Sequence, residues 1–367
     1  MKFIPFFFPQ FHEIKENNEW WGNGYTDWVK VKEAKPLFEN HYQPRTPVNG
    51  YYDLSKEETI IEQINLALQY NIHGFSFYHY WFDGKLLLEK PLENFLKHNT
   101  TLKFCVTWAN ETWTKRWVGK VNDVLIEQKH TPDSNVWKQH FDYLLQFFCN
   151  KNYIRIDNKP VFIIYRPDII VDLKKWMHFF DMEAKQNGFE GLFFVAAKSY
   201  EVYFNNNLNS FDAVLKFQPR EIMNSNKFKS SSQIYTEKLL RSLPEKMQII
   251  IGEIKAKFNS YKILSYDFMW QKIIEGANQQ EVDTKVFQTA VVDWDNTPRY
   301  GNRAKIFDGA TPEKFQKYLH QLNNIESQKG IEYIFINAWN EWSEGAYLEP
   351  DKKWGSKYLE VLKKESL

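Results

Sequence analysis

The chain has 367 residues, with 47 Lys and Arg against 46 Asp and Glu, a net charge of +1. No cationic surplus exists to hold a phosphate backbone, which sets general nucleic-acid binding aside. No run approaches the roughly 18 consecutive apolar residues of a membrane span, and with a mean hydropathy of −0.57 the reading is a soluble, cytoplasmic protein without stable membrane insertion.

Apolar, strand-like runs begin at Phe3–Phe8, which is too short and too interrupted by proline for a signal peptide. A polar-aromatic excursion follows over 10–52, broken by Gly22, Gly24, Pro36, Pro44 and Pro47. Ser55-Lys56-Glu57-Glu58 reads as a capping box before a helix with Ile60, Ile61, Ile64, Ala67 and Leu68 on its apolar side. Gly74–Tyr78 and Leu102–Thr107 are the second and third strands. Thr131-Pro132 opens a helix whose apolar face carries Phe141, Leu144, Leu145 and Phe148. Val161–Tyr165 is the fourth strand, and Lys174–Asn187 a helix ended by Gly188. Leu192–Ala196 and Ala213–Phe217 are the fifth and sixth strands, followed by a long insertion over 219–284 with several helix-like pieces. Val286–Val292 is the seventh strand. Thr311-Pro312-Glu313 starts a late helix with Phe315, Tyr318, Leu319 and Leu322 on one side, and Tyr333–Ala338 is the eighth strand.

These runs are continuous rather than alternating, as strands buried on both faces of a parallel sheet are. Strand and helix in alternation imply right-handed crossovers. Eight strands favour one closed (β/α)8 TIM barrel domain over residues 1–367, with long loops after strands 1 and 6. Cys105 and Cys149 lie in apolar runs and read as buried thiols.

The aromatic content, 14 Trp, 20 Tyr and 30 Phe, includes indoles set beside polar groups. An apolar ring face next to a hydrogen-bonding group suits a sugar. In such barrels active sites gather at the C-terminal ends of the strands, and here seven of eight runs lead into polar motifs. They include Gln10-Phe11-His12, His79-Tyr80-Trp81, Trp108-Ala109-Asn110-Glu111, Tyr165-Arg166, Gln218-Pro219-Arg220, Asp293-Trp294-Asp295 and Asn337-Ala338-Trp339-Asn340-Glu341-Trp342-Ser343-Glu344. Glu341 and Glu344 are the candidate catalytic pair. Three residues apart, they share one side of a helical turn, and glycoside chemistry needs one proton donor and one base or nucleophile. Glu13/Glu16 and Glu16/Glu19 have the same spacing, so it is the place after a strand and beside Trp339, Asn340 and Trp342 that selects the late pair. His12, His79, Trp81, Trp108, Asn110, Glu111, Tyr165, Arg166, Asp293, Trp294, Asn340 and Trp342 are candidate substrate-binding residues. For Trp342, core packing fits as well. Asp293-Trp294-Asp295 resembles a metal-holding Asp-x-Asp, but a substrate contact is the preferred reading. The histidines show no zinc spacing, and no phosphate loop appears, so neither metal nor nucleotide cofactor is expected.

Several of these motifs, together with Glu19-Trp20-Trp21-Gly22, His41-Tyr42-Gln43-Pro44, Tyr78-His79-Tyr80-Trp81-Phe82 and Ile154-Arg155-Ile156-Asp157-Asn158-Lys159-Pro160-Val161, resemble the WbsX-type family of bacterial surface-polysaccharide proteins. That family is usually labelled glycosyltransferase, and its barrel is similar to glycoside hydrolase family 99, the endo-α-mannosidases. Their Glu-Trp-His-Glu matches Glu341-Trp342-Ser343-Glu344, with Ser343 in the place of His. The resemblance implies that Glu344 is the acid/base and that Glu341 deprotonates the sugar 2-hydroxyl, which then closes on the anomeric carbon. It implies an enzyme that cleaves or transfers glycosidic bonds of lipopolysaccharide O-antigen or capsule with retention. Two alternatives stand beside it, a transferase using a nucleotide-sugar or lipid-linked donor and a non-catalytic glycan-binding barrel.

Overall fold

A computed structural model describes residues 1–366 except 116–119, 200–209, 227–234, 237–238, 241, 245–246, 248–250, 252–259 and 280–284. The central strands are β1 (Lys2–Phe7), β2 (Gly74–Phe82), β3 (Lys103–Trp108), β4 (Lys159–Ile164), β5 (Phe193–Lys198), β6 (Ala213–Lys216), β7 (Lys285–Val291) and β8 (Tyr333–Asn337). Each pairs in parallel with the next, and β8 pairs back to β1. The sheet closes into the expected (β/α)8 barrel, built from the eight apolar runs.

Around it lie helices α1 (Lys15–Trp21), α2 (Asp27–Glu33), α3 (Glu57–Gln69), α4 (Ser134–Phe148), α5 (Leu173–Gln186) and α6 (Pro312–Gln328). Both faces of the strands are apolar because both are covered. Phe6 points into the barrel, stacked on Tyr78 at 5.6 Å and 5.1 Å from Phe217. Its neighbour Phe7 points outward against Phe75 and Phe77 at 5.1 and 4.7 Å. Among the described residues no helix is long and apolar enough to cross a membrane.

Local details differ from expectation. The excursion after β1 is not a loop throughout, since it contains α1 and α2. The capping box fails because the Ser55 hydroxyl bonds Asp53 at 2.7 Å, leaving α3 without a side-chain cap. Thr131 likewise turns to Asp83, so α4 starts later, capped by Asp133 on the Asn135 amide at 2.7 Å. Thr311 does cap α6, accepting from the Lys314 amide at 3.2 Å. Cys149 follows the last residue of α4 and is exposed, whereas Cys105 is buried. Much of the insertion over 219–284 lies outside the described residues.

Two asparagines clip neighbouring strand ends together. Asn340, just past β8, accepts from the Phe8 amide at 2.7 Å and donates to the Phe8 carbonyl at 2.9 Å. Asn110, just past β3, accepts from the Arg166 amide and donates to its carbonyl, both at 2.8 Å. A carboxamide fits because it offers a donor and an acceptor side by side. Each clip secures backbone groups where the sheet hydrogen bonding ends. Asn340→Ala leaves buried Phe8 groups unpaired, so it should lower the unfolding free energy by about 2–5 kcal/mol. Chemical denaturation checks this, and a loss under about 0.5 kcal/mol would show that the clip carries no stability.

Candidate active site

The barrel's C-terminal mouth opens into a cleft of about 1160 Å³, counting its solvent-filled entrance. Glu341 and Glu344 lie in its wall with Arg220, Arg299, Tyr78 and Tyr80. The chain beyond β8 makes a two-residue strand, Asn340–Glu341, then a single 3-10 turn, Trp342–Glu344, which sends both carboxyls the same way. Gly345 ends that turn in the left-handed region at φ +64. A Cβ there would stand 2.8 Å from the Asp295 amide nitrogen, and that amide donates to the Glu344 carbonyl at 2.7 Å. Only glycine allows this approach.

One guanidinium joins the carboxyls. Arg299 donates from Nη1 to Glu344 at 2.6 Å and from Nη2 to Glu341 at 3.2 Å, and Nη2 stands 3.4 Å from Asp27. Arg220 adds a second cation, its Nη2 at 2.9 and 3.3 Å from the two Glu344 oxygens. Its guanidinium sits over the Trp294 ring at 5.5 Å. Asp27, on α2, also accepts from the Ser343 hydroxyl. Burial pushes the Glu341 carboxyl up to about 8, opposed by Arg299 and assisted by Glu344 and Asp27. Asp27 is also raised by burial, against the pull of Arg299 and Ser343.

Of the remaining candidates, Glu111 and Tyr165 line the cleft. Arg166 stands behind Glu111, bonding it at 2.8 Å and Asp168 at 2.7 Å. His79 and Trp81 turn outward, because side chains on β2 alternate and the inward positions belong to Tyr78 and Tyr80. His79 bonds His140 at 2.9 Å and burial lowers it to about 3, while Trp81 stacks on His140 at 4.8 Å. Trp108 also faces the helical layer, stacked on Trp176 at 5.6 Å. His12 lines a separate groove with Trp28 and Asp53, and burial lowers it to about 4. Asn110 and Asn340 spend their amides on the backbone clips. Trp342 is buried, stacked on Tyr347 at 3.8 Å with its indole N–H on Glu349 at 2.5 Å.

The Asp-x-Asp side chains are likewise engaged within the protein. Asp293 accepts from Arg45 at 2.7 Å, and Asp295 contacts His41 at 2.9 Å and Gln43 at 2.5 Å. Among the described residues no group of three or more His, Cys, Asp or Glu side chains is placed to hold a metal ion. Asp27, Arg299, Tyr78 and Tyr80 were not among the candidates. Arg220 stands in the strand-end motif Gln218-Pro219-Arg220 without being a named candidate, and Arg299 follows the end of β7, where the same rule points. Asp27 carries no such signal.

Residues 3–362 match the family described as glycosyltransferase WbsX. Two curated relatives, both uncharacterized proteins WxcX of Xanthomonas campestris pv. campestris, are 32% (strain B100) and 31% (strain ATCC 33913) identical over 372 residues. The match covers 98% of this chain and 49% of each relative, so the chain spans about half the length of the curated relatives it matches. Among solved structures, the GH99 endo-alpha-mannosidase of Bacteroides thetaiotaomicron in complex with bis-tris propane aligns with a TM-score of 0.54 at 13% identity, over 99% of this chain and 95% of that one. A glycoside hydrolase-like protein aligns with the same TM-score at 14% identity, over 90% and 91%. These two likenesses are of fold. The sequence match takes in the barrel and every cleft carboxylate, and the chain belongs to the glycosyltransferase WbsX family.

Proposed function

We propose that the chain is a carbohydrate-active enzyme of bacterial surface-polysaccharide metabolism, making or breaking a glycosidic bond between Glu341 and Glu344. The observation that carries this reading is the single Arg299 guanidinium bonded to both carboxyls in an aromatic-walled cleft. One carboxyl gives its proton to the departing glycosidic oxygen. The other takes the proton of the neighbouring 2-hydroxyl, whose oxygen closes on the anomeric carbon as the old bond breaks. Water or an acceptor hydroxyl then opens that ring, and the anomeric configuration is retained.

The environment of each carboxyl supports an assignment opposite to the one the resemblance implies. Glu341 is raised to about 8 and so holds a proton near neutrality, the state a general acid needs. Glu344 is the acceptor of both arginines. Glu341 is therefore proposed as donor and Glu344 as base. The family's description as a glycosyltransferase favours transfer over hydrolysis as the second reading. Incubation with host polysaccharide fragments, with and without nucleotide sugars, separates the two by product mass.

Two outcomes are expected. Glu341→Gln should lose about 10²–10⁴-fold in rate on a natural linkage yet recover on a glycoside with an activated aryl leaving group, while Glu344→Gln should not recover. Recovery of the Glu344 variant alone would return the donor role to Glu344.

The second outcome concerns pH. A carboxyl whose folded pKa is raised stabilises the fold below its unfolded value and loses that contribution as pH rises through the folded one. Wild-type activity should fall above about pH 8, and its melting temperature should decline between pH 5 and that point. Glu341→Gln should melt with wild type near pH 5 and several degrees above it at pH 9. Parallel melting curves across that range would place the proton elsewhere.

A further inference from the structure

Helix α1 carries two adjacent asparagines in opposite circumstances. Asn18 is fully used, accepting from the Tyr25 amide and donating to Glu13, both at 3.0 Å. Asn17 lines the cleft beside Trp21, is 0% exposed, and neither its amide nitrogen nor its oxygen has a hydrogen-bond partner in the protein. The helix does not need Asn17 for its placement. Glu16 pairs with Lys85 at 2.6 Å, and Trp20 packs edge-on to Trp113 at 5.9 Å. A buried amide left unpaired is destabilising, and helix α1 holds this one in the cleft wall.

We infer that Asn17 and Trp21 form a sugar subsite of this cleft, binding a neutral pyranose through two adjacent ring hydroxyls. The inference rests on the glycan reading of the cleft and assigns residues that reading does not use. A carboxamide supplies one donor side and one acceptor side, which matches a vicinal diol in which one hydroxyl donates and the other accepts. Trp21, stacked on Tyr25 at 5.8 Å, lines the cleft beside it and adds apolar area for the sugar's C–H groups. The pair is a binding element, separate from the reacting carboxyls.

The test is Asn17→Leu, close to isosteric and without the amide. Its melting temperature without glycan should rise by roughly 2–4 °C, because an unpaired buried polar group has gone. Its affinity for oligosaccharides cut from the host's surface polysaccharide, read by tryptophan fluorescence and calorimetry, should fall about tenfold or more. Asn17→Ala, which adds no bulk, should lose affinity as well. A lower melting temperature in both variants would mean that Asn17 serves the fold and would overturn the inference, as would affinity retained in the Ala variant. If wild type binds none of the fragments, the glycan reading falls and this inference with it; if wild type binds and Asn17→Ala binds equally, this inference alone falls.

Discussion

The cleft depends on one buried guanidinium. Arg299 touches Asp27, Glu341 and Glu344, and each of those side chains is buried. Taking such charges out of water costs several kcal/mol per ion unless partners compensate. Arg220 shares the load from the side of Glu344. Three carboxyls thus face two guanidiniums, and one proton retained among the carboxyls balances the set. Burial raises both Glu341 and Asp27, the direction that retention requires. Charge balance and burial thus act in the same direction on these carboxyls, and the donor role proposed for Glu341 draws on both.

The second constraint is geometric. Glu341 and Glu111 each follow an asparagine whose amide is clipped to the backbone of the adjacent strand end. The clip fixes the backbone from which each glutamate projects. Both glutamates reach the same cleft. One local device, Asn-Glu at a strand end, is therefore used twice, with the asparagine as scaffold and the glutamate as lining. This explains why Asn110 and Asn340 stand beside cleft-lining positions while their side chains face backbone rather than the cleft.

The strands, and the place of the late glutamate pair at the barrel mouth, were legible because the signals are local. Apolar runs mark buried strands, and the end of a barrel strand marks the mouth. Which side chains face inward was not legible. Runs such as Gly74–Phe82 are apolar on both faces, so nothing in them distinguishes the parity of Tyr78 and Tyr80 from that of His79 and Trp81. The more polar-looking His79 was the natural choice, and it packs against His140 in the helical layer. The capping box at Ser55 misled for a related reason, since a hydroxyl goes to the nearest good acceptor, here Asp53. Asp27 was out of reach altogether. Its partner Arg299 is 272 positions away, and no spacing rule spans that distance.

That separation also says what the excursion after β1 is for. The barrel supplies the glutamates and arginines from the ends of β6, β7 and β8, but these groups alone do not settle their charges or enclose a ligand. Helix α2 brings Asp27 against Arg299 and Ser343, with Trp28 packed 5.8 Å from Trp342. Helix α1 brings Asn17 and Trp21 to the cleft wall. The downstream segment His41–Arg45 fastens Asp293 and Asp295 beneath the turn that carries Glu344. The contacts of Asp27, Trp28 and His41–Arg45 join the first seventh of the chain to its last quarter. Their loop-closure entropy is recovered only once the barrel has closed and brought the two ends of the chain together. Closure of β1 against β8 is thus a condition for the site as well as for the fold, and the Asn340 clip on Phe8 lies where those two requirements meet.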